Sequence, residues 1–376
     1  MTPRKSRVVS NDASSVLLLV AVLLAAWSWP GTGHASAPGC YEFTELLLHA
    51  RRPDLAPSSK VESPAVVPGS FTFVVLPDMQ YYSQCDSPHF TAQLRWIAGQ
   101  TRTRDIRAVL TLGDLTEHNT PSEWSYVRDG LKPWQAHMPV ILVSGNHDHG
   151  TDGSSDRRRS LLSEYFPQAP GAAAKILVET RTPTDIENAY YRVALPHVTI
   201  GLLALEWAPR TSTVAWANDV LRRHAGDRII VLTHAYLYDD STRYDWKAKG
   251  TAQLWSPQHF KLAQDAEAAG DPINDGQMLW DTLVRKHPGI FLVMNGHVGG
   301  KGTGSLASRG DAGNTVQQVL VNFQMLVQGG EGYLRLVEIL PDGRTVRMKT
   351  YSPTIDRFAG ATDQNAEFKV EPALWQ

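Results

Sequence analysis

From Phe71 onward the chain alternates short apolar runs, each cut off by polar residues, with longer amphipathic segments. Phe71–Leu76 leads into Pro77-Asp78, Ile106–Leu112 into Gly113-Asp114, and Val140–Val143 into Ser144-Gly145-Asn146-His147-Asp148. Val198–Leu205 stops at Glu206, Ile229–Leu232 at Thr233-His234, and Ile290–Met294 at Asn295-Gly296-His297. Continuous β-rich runs of this length predict strands buried on both faces. The segments between them carry helix signals. Phe90, Leu94 and Ile97 share one helical face, and Thr120-Pro121-Ser122-Glu123 is a capping box that opens the helix containing Trp124 and Val127. Val214, Ala217 and Leu221 form a stripe that Gly226 is expected to close, and Leu279, Leu283 and Val284 form another before His287-Pro288. Gly332–Leu340 and Arg344–Tyr351 flank Pro341-Asp342-Gly343 and read as a hairpin. The pattern predicts an α/β fold with strands in both orientations and no internal repeat. Residues 236–276, rich in Tyr, Trp, Lys and Asp, interrupt the rhythm and are expected to form a long loop near the site.

Composition narrows the class without naming an activity. With 376 residues, 42% hydrophobic and 20% charged, the chain has the make-up of a folded globular protein. Lys+Arg 36 against Asp+Glu 38 gives a formal charge of -2, so no strong basic field is present to hold a nucleic-acid backbone, and no specific nucleic-acid partner is expected. Residues 1–35 read as an export signal: Arg4, Lys5 and Arg7 precede the apolar stretch Val16–Ala26, and small residues follow, with cleavage expected after Ala35. That stretch is too short to span a bilayer comfortably, and no other approaches spanning length, so a soluble, secreted or periplasmic mature protein is expected. Residues 36–70, rich in Pro and Ala, look like a leader before the core. In an oxidising compartment Cys40 and Cys85, the only cysteines, could pair and tie this leader to the first loop of the fold.

The chemistry lies in where the polar residues sit. Asp78, Asp114, Asn146, His234 and His297 each fall just past the end of an apolar run. Ligands of open α/β sheets gather outside the carboxyl ends of the strands, so these separated segments can aim at one place. Two carboxylates, an amide oxygen and two imidazoles suit hard-to-borderline di- or trivalent cations and not a thiolate site. A carboxylate can bridge two cations about 3.5–4 Å apart, a pair that clamps the oxygens of an in-line displacement at phosphorus. Singly each residue has an ordinary structural use; the ordered set after successive strands carries the reading.

The sequence resembles the calcineurin-like metallophosphoesterase family over most of residues 71–340. The resemblance rests on PDMQ (77–80), GDLTEHN (113–119), SGNHDH (144–149), THAY (233–236) and NGH (295–297), in family order, and the flanks LEWAPR (205–210), GGEGYLRLVEI (329–339) and YSPT (351–354) look like a bacterial exported branch. It implies a four-layer α/β/β/α sandwich with mixed sheets, a catalytic domain over 71–340, and a C-terminal hairpin strand and tail, 341–376, packed on it. It also implies two metal ions, with Mn or Fe favoured and Zn admissible. Asp114 would bridge them, Asp78 would bind the first, and Asn146, His234 and His297 the second. His147 would assist the leaving group with Asp148 fixing its orientation, and a metal-bound hydroxide would be the nucleophile attacking a small-molecule or extracellular phosphomonoester or phosphodiester. His118, Tyr236 and Arg243, adjacent to these motifs, are candidates for the substrate pocket.

Two positions depart from the family pattern. Its first motif is usually Asp-x-His, where this chain has Asp78-Met79-Gln80, and its last is usually Gly-His-x-His, where this chain has Gly296-His297-Val298-Gly299. Both missing imidazoles belong to the first metal. Gln80 can offer a carbonyl oxygen, and Glu206, Asn322 and Gln324 are candidates to complete the set, so a weaker first site favouring a harder ion is expected. The alternative is a non-catalytic metal- or phosphoester-binding protein on the same scaffold with a degraded first site.

Overall fold

The computed structural model describes residues 65–360 and 365–370. The expected signal segment, nearly all of the leader, Cys40 and the end of the tail lie outside the described residues. Cys85 is buried.

Two mixed sheets stack face to face. The first contains β1 (Phe71–Leu76), β2 (Ile106–Thr111), β3 (Val140–Ile141), and, from much later in the chain, β11 (Leu334–Ile339), β12 (Thr345–Ser352), β13 (Arg357–Phe358) and β14 (Ala366–Lys369). Its order is β13-β12-β11-β1-β2-β3, with β14 also paired to β12. Strands β1, β2 and β3 run parallel, while β11 returns antiparallel to β1 with Phe73 opposite Val337. The second sheet contains β4 (Leu177–Thr180), β5 (Ala189–Ala194), β6 (Thr199–Ala204), β7 (Arg228–Leu232), β8 (Ile290–Asn295), β9 (Thr303–Arg309) and β10 (Thr315–Val321), in the order β4-β5-β6-β7-β8-β10-β9. Here β6, β7, β8 and β10 are parallel.

The strands are apolar on both faces because each sheet is covered twice. Phe73, Val75, Leu110, Leu202, Ile230, Leu292 and Val337 meet in the core between the sheets. On the outer face of the first sheet, Val74, Leu76 and Val109 pack against Phe90, Leu94 and Ile97 of α2 (Pro88–Gln100) and Trp124 and Val127 of α3 (Pro121–Leu131); α2 follows the short α1 (Gln80–Gln84). On the outer face of the second, Leu203, Val231 and Val293 pack against Val214, Ala217 and Leu221 of α4 (Thr211–Arg223) and Leu279 of the helix Gly276–Thr282. The result is the expected α/β/β/α sandwich. At α3 the Thr120 hydroxyl accepts the Glu123 amide and Glu123 reaches back to the Thr120 amide, which closes the predicted capping box.

Two local expectations change. Helix α4 ends at Arg223 with His224 as its cap, and Gly226 stands beyond it. The expected loop 236–276 holds the helices Trp246–Lys249 and Lys261–Ala268 and short 3-10 turns, with Leu262 and Ala263 buried against α4's side of the sheet. No helix among the described residues is long and apolar enough to cross a membrane.

Candidate metal centre

Parallel neighbours in both sheets bring their carboxyl ends to one edge, and the loops there carry the chemistry. Asp78 follows β1, Asp114 follows β2, Asn146 follows β3, His234 follows β7 and His297 follows β8. The backbone is bent to achieve this. Gly113 and Asp114 have φ of 95° and 50°, and His297 has φ of 75°. Left-handed backbone at Asp and His is costly, on the order of 1 kcal/mol or more each, and persists where the surroundings impose it. Two glycines allow the close approach: a Cβ on Gly145 would stand 2.1 Å from Asp114 Oδ1, and one on Gly296 would stand 2.1 Å from Asp78 Oδ2.

Four acceptor atoms converge. His234 Nε2 lies 3.0 Å from Asn146 Oδ1 and 3.2 Å from Asp114 Oδ1. His297 Nδ1 lies 2.7 Å from the same Asn146 oxygen and 3.2 Å from His234 Nε2. The opposite ring nitrogens fix the tautomers. His234 Nδ1 donates to the Leu112 carbonyl at 2.6 Å, and His297 Nε2 donates to the Trp255 carbonyl at 2.7 Å. A carbonyl only accepts, so in the neutral imidazoles the nitrogens facing Asn146 and Asp114 carry lone pairs. Lone pairs so crowded in a buried place repel unless a cation or a proton lies among them. Asp114, His234 and His297 offer ligand atoms all within 4.8 Å of one another, and the donor set fits a borderline divalent ion.

The charges show the same demand. Burial would lower the basicity of His234, but the Asp114 carboxylate outweighs it and raises the imidazole to about 9. Burial, reinforced by His234, pushes His297 down to about 3. Burial alone would raise Asp114; the imidazoles of His234 and His147 outweigh it and hold the carboxyl below its usual range. Metal and proton compete for this place, since ligation requires the unprotonated imidazole.

Beside this cluster lies a second, oxygen-lined place. Asp114 turns Oδ1 toward His234 and Oδ2 toward the Gln80 amide, 3.1 Å away. Asp78 Oδ1 accepts the His297 amide at 2.8 Å, whereas Asp78 Oδ2 and Gln80 Oε1 are buried without a hydrogen-bond partner. Burial pushes the Asp78 carboxyl up to about 7, only partly opposed by His234. Orphaned buried acceptors are expensive, and a hard cation would satisfy them.

His147 stands at the rim, its amide donating to Asp114 Oδ1 at 3.0 Å. The expected orientation of its ring by Asp148 does not hold. Asp148 is fully buried and its oxygens accept the amides of Gly145, Leu115 and Thr116 and the Thr116 hydroxyl, so it binds the Asp114 loop to the Asn146 loop. The ring is held by Glu117: His147 Nδ1 donates to the Glu117 carbonyl at 2.9 Å, with the Glu117 carboxylate 3.5 Å away. Burial would lower His147, but Glu117 and Asp114 outweigh it and raise the imidazole to about 9. Glu117 belongs to GDLTEHN, yet nothing in its spacing singles it out.

Other candidates are drawn elsewhere. His118 stays near the rim, its Nε2 accepting from Gln84 Nε2 at 3.2 Å. Tyr236 and Arg243 are engaged within the fold: both bond to Gln318 Oε1, and Arg243 also bonds to Ser308 and Gln277 and stacks over Trp280 at 4.0 Å. They tie the 236–276 segment to β9, β10 and the helix Gly276–Thr282. Glu206 cannot serve as a ligand, because Arg210 and Arg158 take its carboxylate at 2.9 and 3.3 Å. Sequence reasoning missed Trp255, whose carbonyl sets the His297 tautomer, since a backbone carbonyl leaves no mark in the sequence. The Trp207 ring lies 5.4 Å from that of His234 and 5.0 Å from that of His297, forming the apolar wall.

A family model described as calcineurin-like phosphoesterase matches residues 71–298. An uncharacterized protein of Bacillus subtilis (strain 168), YvnB, is 24% identical over 291 residues, covering 76% of this chain and 20% of that protein. The chain therefore spans about a fifth of the length of that curated relative. Among solved structures, GAP50, the anchor in the inner membrane complex of Plasmodium, is similar with a TM-score of 0.43 and 11% identity, over 80% of this chain and 89% of that one. The Haemophilus influenzae NAD nucleotidase is similar with a TM-score of 0.40 and 10% identity, over 80% and 55%.

Proposed function

Because the chain belongs to the calcineurin-like phosphoesterase family, we propose that it is an exported, metal-dependent hydrolase of phosphomonoesters or phosphodiesters. One observation carries the proposal: ligand atoms of Asp114, Asn146, His234 and His297, delivered by both sheets, crowd one buried point. These residues would hold the second cation. Asp78, Gln80 and the other oxygen of Asp114 would hold the first, more weakly because neither missing imidazole is replaced by another nitrogen. Bound there, di- or trivalent cations of the Mn, Fe or Zn kind supply a water acidified toward neutral pH and a clamp on phosphoryl oxygens.

The chain's own residues do the rest. Asp114 spans both places through its two oxygens. His147, protonated through the influence of Glu117 and Asp114, offers Nε2–H to the departing ester oxygen while Nδ1 stays bonded to the Glu117 carbonyl. Trp207 excludes water from the far side of the imidazoles. Export through residues 1–35, to a secreted or periplasmic location with a small-molecule or extracellular phosphoester as substrate, is supported by the basic, apolar and small-residue order of that segment.

The test is a panel of aryl phosphomonoesters and bis-aryl phosphodiesters, with protein stripped by chelator and reloaded with Mn, Fe or Zn. Metal-dependent turnover is expected, falling by about 10²-fold or more in Asp114→Asn. Metal-independent turnover, or none with any ion, would overturn the proposal.

A further inference from the structure

We propose that the apolar cavity at the far end of α2 is the docking site for Leu46, Leu47 and Leu48 of the leader. Residues 41–66 would then form a strap along α2, fastened at Cys85 and at the start of β1. The cavity lies at the amino-terminal edge of the first sheet, opposite the strand ends that carry the metal ligands, so the inference is independent of the phosphoesterase reading.

The cavity measures about 480 Å³, and Leu94 and Ile97 of α2, Val109 of β2, Met138 and Val140 of β3 line it. All five side chains are buried. Arg102 and His137 stand exposed among its lining residues, which include no carboxylate. Arg102 makes no ion pair among the described residues, so the mouth carries an unanswered positive charge. Apolar walls with nothing against them forfeit dispersion contacts, and an apolar occupant restores them.

Tethers, reach and chemistry select the leader as that occupant. Cys85, which caps α1 just ahead of α2, is disulfide-bonded, and Cys40 is the one other cysteine in the chain. At the other end, the Thr72 amide of β1 donates to the Asp105 carbonyl at 3.1 Å, and the Asp105 amide donates to the Arg102 carbonyl at 3.4 Å. The leader therefore enters β1 beside the loop that forms the cavity mouth. Its two fastenings lie at opposite ends of α2, a helix of 13 residues and about 20 Å. Residues 41–66 span up to roughly 85 Å when extended, ample for that path. The three leucines follow Cys40 by a reach of roughly 20–25 Å, and Leu94 and Ile97 lie within that distance along the helix. Three consecutive leucines are a liability in water, and Glu42 and Glu45 precede them to meet Arg102.

The experiment places a photoreactive benzophenone amino acid at Leu47 of the full chain, irradiates it, and maps the cross-links by mass spectrometry. Cross-links within one chain to Met138, Leu94 or Ile97 are expected. Binding of the apolar dye 1-anilinonaphthalene-8-sulfonate is measured alongside. The triple substitution Leu46→Ser, Leu47→Ser and Leu48→Ser should bind it at least about tenfold more tightly than wild type. Adding Ala98→Trp, which sets an indole in the cavity, should abolish that gain. Cross-links elsewhere on the chain, or to a second copy, would overturn the inference. So would wild-type protein that binds the dye as tightly as the triple variant, or that carries a small apolar molecule cross-linked to none of its leucines. None of these substitutions touches a metal ligand, so failure here leaves the reading of the metal centre standing.

Discussion

In their neutral forms two imidazoles turn lone-pair nitrogens toward one point, because a backbone carbonyl takes the proton on the far side of each ring. That detail governs the residue scale. The ligand candidates were legible because their side chains carry the chemistry and each follows an apolar run. The carbonyls of Leu112 and Trp255, which decide which nitrogen is free, have no side-chain signature. Adjacency misleads in the same way at Asp148. It follows His147 in sequence, but its carboxylate faces back into the loops and binds amides across them, while Glu117 reaches the ring from another strand end. His147→Ala should therefore lower turnover by about 10²–10⁴-fold with metal content unchanged. Glu117→Gln acts through His147. Removing the carboxylate lowers the imidazole from its raised value of about 9, so the protonated form is lost earlier as pH rises. The alkaline limb of the pH–rate profile should move to lower pH, and an unmoved limb would detach Glu117 from this role.

At the scale of elements, strands buried on both faces announce themselves as apolar runs, and strands at or next to a sheet edge do not. β1, β2, β6, β7 and β8 were legible for that reason. β9 (TGSLASR) alternates exposed positions, and β10 (TVQQVLV) carries Gln317 and Gln318, so neither reads as a continuous run. The segment 236–276 was misread as loop because its helices are short and take their order from contacts such as Arg243 with Gln318. The turns after the strands are constrained by space as much as by donors. In Gly296→Ala the new methyl would collide with Asp78 Oδ2, displacing the carboxylate. A loss of one bound cation per chain is expected, with a stability cost of about 1–3 kcal/mol. Equilibrium dialysis and denaturant unfolding would measure the two effects separately.

For the whole molecule, the ligand set divides between the sheets: Asp78, Asp114 and Asn146 stand on the first, His234 and His297 on the second. A cation bound among them joins two layers otherwise held by apolar contact. Metal at about a hundred times its dissociation constant should add about 2.7 kcal/mol to the folded state, raising the melting temperature by roughly 5 °C. Calorimetry with and without chelator checks this; identical melting curves would mean that no ion bridges the layers. The sandwich was legible from the sequence because its strands are covered on both faces. The strand order was not, because β11 enters between β12 and β1 from the far end of the chain, and no local pattern encodes that return.

That late return has a consequence for synthesis. Every donor named here precedes residue 325, yet the strand flanking β1 is not made until Leu334–Ile339. A growing polypeptide therefore holds all of its ligating groups while the edge of β1 is still bare. Capture of an ion must wait until β11 itself has left the ribosome, and a fragment ended at Met325 should precipitate rather than chelate.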